Sequence, residues 1–134
     1  MDMEKVYTST QRFIRISPKK VRVVVQSIKK MSPEKAVEVL PYLPKSASIP
    51  LQKTIKSAIA NASMQGAKVS ELEFKEIQIG QGPTLKRGIP APKGRYHPIM
   101  KRMSHIRVVL VARKQEIKEE TKPVEKKGTN GAKS

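Results

Sequence analysis

Between Ile77 and Lys114 the chain carries nine Lys or Arg residues and no Asp or Glu. The same stretch is punctuated like a long β-hairpin with an irregular tip, from Gly80-Gln81-Gly82-Pro83 to Gly94-Arg95-Tyr96-His97-Pro98. All eleven acidic residues lie outside it, seven before and four after. A solvated surface normally mixes both signs, because a one-sign field repels itself and weakens the compact state. An arm of this composition calls for a polyanion to neutralise it, and nucleic acid is the first candidate.

The length of 134 residues and net charge of +17 fit one domain, expected over residues 1–113 and including a hairpin at about 80–99. Residues 114–134 hold Lys, Glu, Thr, Pro and Gly with little apolar content and are expected to be a disordered tail. Without arm and tail, roughly 90 residues remain to build a core, and a domain that small is marginal unaided. Aromatics make up only 4% of the chain, so the core must rest on Val, Ile, Leu, Ala and Met. The absence of Cys excludes disulfides, thiolate catalysis and Cys-based zinc sites. Met1-Asp2-Met3-Glu4-Lys5 does not resemble a signal peptide, and runs such as Val108 to Ala112 are too short to span a membrane. A soluble cytosolic chain is the expectation.

Residues 7–16 read as a strand, with Phe13 on one face and Arg12, Ile14 and Ile16 on the other. Ser17-Pro18 and Ser32-Pro33 are helix starts. The first helix presents Val21, Val24, Val25 and Ile28 to a core and Lys19, Lys20, Arg22, Lys29 and Lys30 to the other side. A short second helix should stop before Pro41. A third is expected to begin near Pro44 or Lys45, to bury Leu51, Ile55, Ala58, Ile59 and Ala62, and to be capped by Gly66. Residues 69–79 read as a strand whose apolar phase changes between Leu72/Phe74 and Ile77/Ile79, which predicts a bulge or strong twist. Residues 99–112 read as a third strand. The loop between the last two is too long and too basic for an economical turn, and could reach roughly 30 Å from the body.

Enzymatic function is not expected. Ser104 and His105 are adjacent on a strand and point to opposite faces, and no carboxylate is near to orient the imidazole. His97 and His105 are too far apart to share a metal, and Gly80-x-Gly82 before Pro83 lacks the donors of a phosphate cradle. No metal or cofactor is expected. Lys19, Lys20 and Arg22 sit in the first turns of a helix, where the macrodipole disfavours cations unless an anion is near. Lys86, Arg87, Lys93, Arg95, Lys101 and Arg102 are spaced along the arm. Tyr96 is its one aromatic, too little for a single-strand stacking platform. Backbone recognition is therefore expected rather than base readout.

Four motifs carry a resemblance. They are Ser17-Pro18-Lys19-Lys20-Val21-Arg22, Lys56-Ser57-Ala58-Ile59-Ala60-Asn61-Ala62, Gly82-Pro83-Thr84-Leu85-Lys86-Arg87, and Lys93-Gly94-Arg95 before Lys101-Arg102-Met103-Ser104-His105-Ile106. In this order and spacing, over about residues 7–113, the chain resembles the large-subunit ribosomal protein family L twenty-two, in its bacterial form. The resemblance implies an α+β fold with three helices packed on a three-stranded antiparallel sheet and a long protruding β-hairpin. It implies that the hairpin penetrates ribosomal RNA and lines the peptide exit tunnel. The tunnel-lining tip would be Leu85, Lys86, Arg87, Gly88, Ile89, Pro90, Ala91, Pro92 and Lys93. Met103 stands where Thr is common in the family, and the Pro90-Ala91-Pro92 tip is richer in proline than usual.

The resulting expectation is a structural constituent of the large ribosomal subunit, in the cytoplasm, that binds ribosomal RNA and aids assembly. Arg12, Arg15, Lys19, Lys20 and Arg22 would serve the domain's RNA face and the arm's cations the hairpin. On the resemblance, Ser17, Gly94, Ser104 and His105 join them. Expected partners are large-subunit ribosomal RNA, neighbouring ribosomal proteins and the nascent polypeptide, with no membrane and no homo-oligomer. The alternative is an architectural DNA-binding protein whose proline-tipped arm enters a minor groove.

Overall fold

The computed structural model describes residues 4–113; the expected tail lies outside them. In chain order they form β1 (Val6–Ile14), α1 (Pro18–Ile28), α2 (Pro33–Val39), α3 (Ser48–Met64), β2 (Leu72–Gln81), β3 (Leu85–Pro90), β4 (Tyr96–Lys101) and β5 (Ser104–Ala112). The architecture is α+β. One antiparallel sheet has the order β1-β5-β2, and β3 and β4 form a separate two-stranded hairpin.

The core lies between the three helices and one face of the three-stranded sheet. Strand residues two apart share a face, and Ile106, Val108 and Leu110 of the central strand β5 are fully buried there. Leu110 pairs with Tyr7 of β1 on one side and Phe74 of β2 on the other, so both edge strands contribute to this face. Val21, Val24 and Ile28 of α1, Ala36 of α2, and Leu51, Ile55, Ala58 and Ala62 of α3 close it from above. Ile59 and Val25 are only half-buried at its margin. The opposite sheet face is not covered by a helix, and Thr8, Thr10, Gln78 and Arg107 on it are exposed.

Local chemistry sets the element ends. Pro18 and Pro33 occupy first helical positions behind Ser17 and Ser32, whose backbones are extended as at N-caps. Neither serine side chain caps its helix, so the fixed proline φ rather than a hydroxyl bond starts each one. Pro41 ends α2, after which the chain makes a single 3-10 turn at Leu40–Tyr42. The third helix starts at Ser48, three residues later than Lys45, and Pro50 sits in its first turn where no N–H is needed. It ends at Met64 in a Schellman motif. Gly66 is left-handed at φ +82, Gly66 N–H bonds Ser63 O at 3.0 Å and Ala67 N–H bonds Ala62 O at 3.0 Å.

One bulge the sequence predicts and two departures from that reading shape the site. The register of β2 shifts between Phe74 and Glu76 opposite Leu110 and Val109, where the apolar phase changes. In β1 the register also shifts, between Gln11 and Ile14, and Phe13 there has φ 57. This bulge separates Arg12, which is exposed, from Ile14, which is buried, so the two do not share a face. Finally, the expected strand at 99–112 is two strands. Gln81 pairs with Ser104 and Leu85 with Lys101, leaving three residues on one side (82–84) and two on the other (102–103). That unequal count interrupts the ladder and lets the hairpin leave the sheet in a new direction. The hairpin thus begins later than expected, with paired strands over 85–101.

Candidate nucleic-acid interface

Where the hairpin leaves the body, Gly82 is pressed against the Met103 backbone. Its N–H donates to Met103 O at 2.9 Å, and a Cβ on residue 82 would stand 3.0–3.2 Å from Met103 atoms. This pinch brings the hairpin root over the turn between β1 and α1 and encloses a cleft of about 540 Å³. Arg15 and Lys20 reach it from the body, and Arg87, Lys101 and Arg102 from the hairpin. Its remaining wall is Ile16, Leu85, Met100 and Met103, with Ser17 and Ser46 at the edge. Among the described residues no carboxylate lines it. Five cations around one concavity, with no counter-ion among the described residues, focus a positive potential there, the arrangement that draws in a polyanion backbone.

The cleft joins two groups of candidate residues that lie some seventy residues apart in sequence: Arg15, Ser17 and Lys20 with Arg87, Lys101 and Arg102. Arg12, Lys19 and Arg22 are exposed but outside it, and the Arg22 guanidinium makes only a long 3.5 Å bond to Ile79 O, linking α1 to β2. Lys86 alternates with Leu85 and Arg87 along β3 and so projects from the other hairpin face. Ser104 does not belong to any exposed surface. It is 0% exposed and its Oγ has no hydrogen-bond partner. The sequence reading placed it in a recognition motif; strand alternation at the start of β5 turns it inward instead.

The hairpin tip is closed by its own hydrogen bond and by a folded-over ring. Ala91 N–H donates to Arg95 O at 2.7 Å, closing Pro92-Lys93-Gly94, in which Lys93 and Gly94 both have positive φ, 61 and 68. Gly94 adopts this freely, whereas Lys93 is held against a steric cost of about 1–2 kcal/mol. Tyr96 folds across the hairpin onto Gly88, where any Cβ would coincide with its ring. Tyr96 is therefore used partly as a clamp, though 67% of it remains exposed. Lys93, Arg95, His97 and the flanking residues are exposed. Among the described residues, Arg113 is the only cation of the acid-free segment in an ion pair, with Glu73 at 3.2 Å.

Two features of the interface have no local signal in the sequence. Ile16, Leu85, Met100 and Met103 make an apolar wall among the cations although they come from three separate segments. Phe13 is the other. Phe13 is 61% exposed, its N–H donates to His105 Nδ1 at 3.0 Å, and its ring meets the imidazole edge-on at 5.1 Å and 87°. His105, expected on an RNA-contacting surface, is half-buried and occupied in holding this bulge.

No group of three or more His, Asp or Glu that could hold a metal occurs among the described residues, and no helix there is long and apolar enough to cross a membrane. Residues 9–111 match the family described as Ribosomal protein L22p/L17e. The chain is also similar to the large ribosomal subunit protein uL22 of Desulfosudis oleivorans. The two are 43% identical over 108 residues, which span 81% of this chain and 94% of that protein.

Proposed function

The chain belongs to the ribosomal protein L22p/L17e family, and from that premise we propose that it binds large-subunit ribosomal RNA, aids assembly of the subunit and lines the peptide exit tunnel with its hairpin. As a member of the family it is a structural protein of the large ribosomal subunit and not an enzyme. The observation that carries the RNA-binding reading is the cleft at the hairpin root, where five cations from two distant segments meet with no carboxylate among the described residues. Lys and Arg there neutralise phosphates and release counterions, so RNA segments that would repel one another can approach. Because the cations come from body and hairpin alike, one RNA segment seated in the cleft fixes the direction in which the hairpin extends. Assembly is aided because the same contact joins the RNA bound by the domain to the RNA around the arm. Neighbouring ribosomal proteins complete the surroundings, and the chain acts as a single copy.

The first test is where a tagged chain sediments in a lysate gradient, with and without ribonuclease. Co-migration with large subunits that survives a moderate salt wash and collapses on ribonuclease treatment is expected. Migration with the nucleoid, or as a free dimer untouched by ribonuclease, would transfer the reading to an architectural DNA-binding protein. The tunnel role has its own test: a photo-reactive residue at position 91 should cross-link to nascent chains in translating ribosomes. Cross-links to RNA alone would remove that part.

A further inference from the structure

Phe13 combines three properties that rarely occur together. It is a bulky residue in the left-handed region at φ 57, it lies at a register shift in an edge strand, and its ring is 61% exposed. A strained backbone of this kind persists only where surrounding contacts over-determine it. Here the contacts come from His105 across the sheet, which accepts the Phe13 N–H and braces the ring edge-on. Burial cannot be what the strain secures, since the ring is left in solvent. What it secures is the ring's position, standing on the uncovered face of the sheet at the end nearest the hairpin.

The surroundings define what that position suits. Opposite His105 the neighbouring strand carries Gly80, which has no side chain to stand over the imidazole. The next residue along this face of β5 is Arg107, exposed, with Thr10 and Gln78 opposite it. Arg12 and Arg15 flank the ring along the chain and are exposed as well. A protein partner would require a contiguous apolar patch around the phenyl ring, and this one is isolated among polar and cationic side chains. An exposed aromatic ring with cationic and hydrogen-bonding residues beside it in chain and register matches an unstacked nucleobase with its phosphates.

We propose that Phe13, braced by His105, is a stacking platform for one unpaired nucleobase of the RNA this protein binds. The inference rests on the RNA-binding reading above and adds a base contact to what is otherwise recognition of backbone. His105 acts here as a positioning residue that fixes the ring, and Arg107 and Arg12 hold the flanking phosphates.

The test uses the full chain and two RNA stem–loops, one with a single bulged 2-aminopurine and one with an abasic bulge at the same place. The 2-aminopurine RNA is expected to bind roughly tenfold more tightly, within the range for a base on an aromatic side chain, and its fluorescence to be quenched on binding. Phe13→Tyr should keep both effects. Phe13→Leu should lose both while binding the abasic RNA as well as before. Equal affinity for the two RNAs without quenching, in the unmodified chain, would overturn the platform and leave RNA binding standing; this comparison needs no variant to fold. Preference and quenching that survive in Phe13→Leu would overturn it too. Failure to bind either RNA would instead overturn the RNA-binding reading itself.

Discussion

Two residues show what the fold asks of single atoms. Ser104 is buried at the first position of β5 with an unpartnered hydroxyl, opposite Ile14 on one side and Gln81 on the other. Removing a buried polar atom that lacks a bond can raise stability, because its desolvation is no longer uncompensated. Ser104→Ala is expected to stabilise the domain by about 1 kcal/mol, seen as a higher urea midpoint with an unchanged slope; a lower midpoint would mean the hydroxyl has a partner in solution. Gly88 poses the opposite demand. The Tyr96 ring occupies the place its Cβ would take, so the Gly88 α-protons should be shifted upfield by the ring current. In Gly88→Ala the ring must leave, and the exposure of Tyr96 to a soluble quencher should rise. Unshifted Gly88 protons in the native chain would show that the clamp does not form.

The hairpin and the body are distinct elements in energetic terms. Among the described residues, every fully buried side chain belongs to the three helices, the three-stranded sheet or the turns between them, and none to β3 or β4. Replacing residues 82–103 by Asn-Gly would join Gln81 to Ser104, already a cross-strand pair, through a tight hairpin turn. The shortened chain is expected to melt in one cooperative transition; a broad, non-cooperative melt would show that the arm supports the core. The body was also the part most legible in sequence, because its signals are local. Pro after Ser starts two helices, Gly66 ends the third, and the apolar phase change near Phe74 marks the bulge. The positions that escaped reading depend on partners far away along the chain. Phe13 takes a positive φ because of His105, 92 residues on, and no neighbouring residue announces it. The break at Arg102–Met103 follows from a count of residues on the opposite strand. Ser104 carries an RNA-contact expectation through its motif, while its inward direction is set by the register of β5.

Taken as a whole, the molecule separates its charges by place. The three ion pairs among the described residues are Lys68–Glu71, Lys75–Glu4 and Arg113–Glu73. They lie near the first residues of β2 and the end of β5, at the opposite end of the sheet from the hairpin root. At that root the cations pair with no carboxylate among the described residues and face a shared cleft. Position, rather than net charge alone, should then govern how strongly each cation contributes to RNA binding. Lys101 lines the cleft, and Lys53, equally cationic and exposed, sits on α3 away from it. For a large-subunit ribosomal RNA transcript, the logarithm of affinity should fall linearly with the logarithm of salt concentration. Lys101→Gln is expected to reduce that slope by about one, the share of one neutralised phosphate, and to weaken binding at low salt. Lys53→Gln lowers net charge by the same amount and should leave the slope unchanged. Arg15→Gln, from the other side of the cleft, should match Lys101→Gln, and the double variant should lose about two. Equal slopes for the Lys53 and Lys101 variants would mean that the chain binds through its overall charge, and the cleft would lose its special standing.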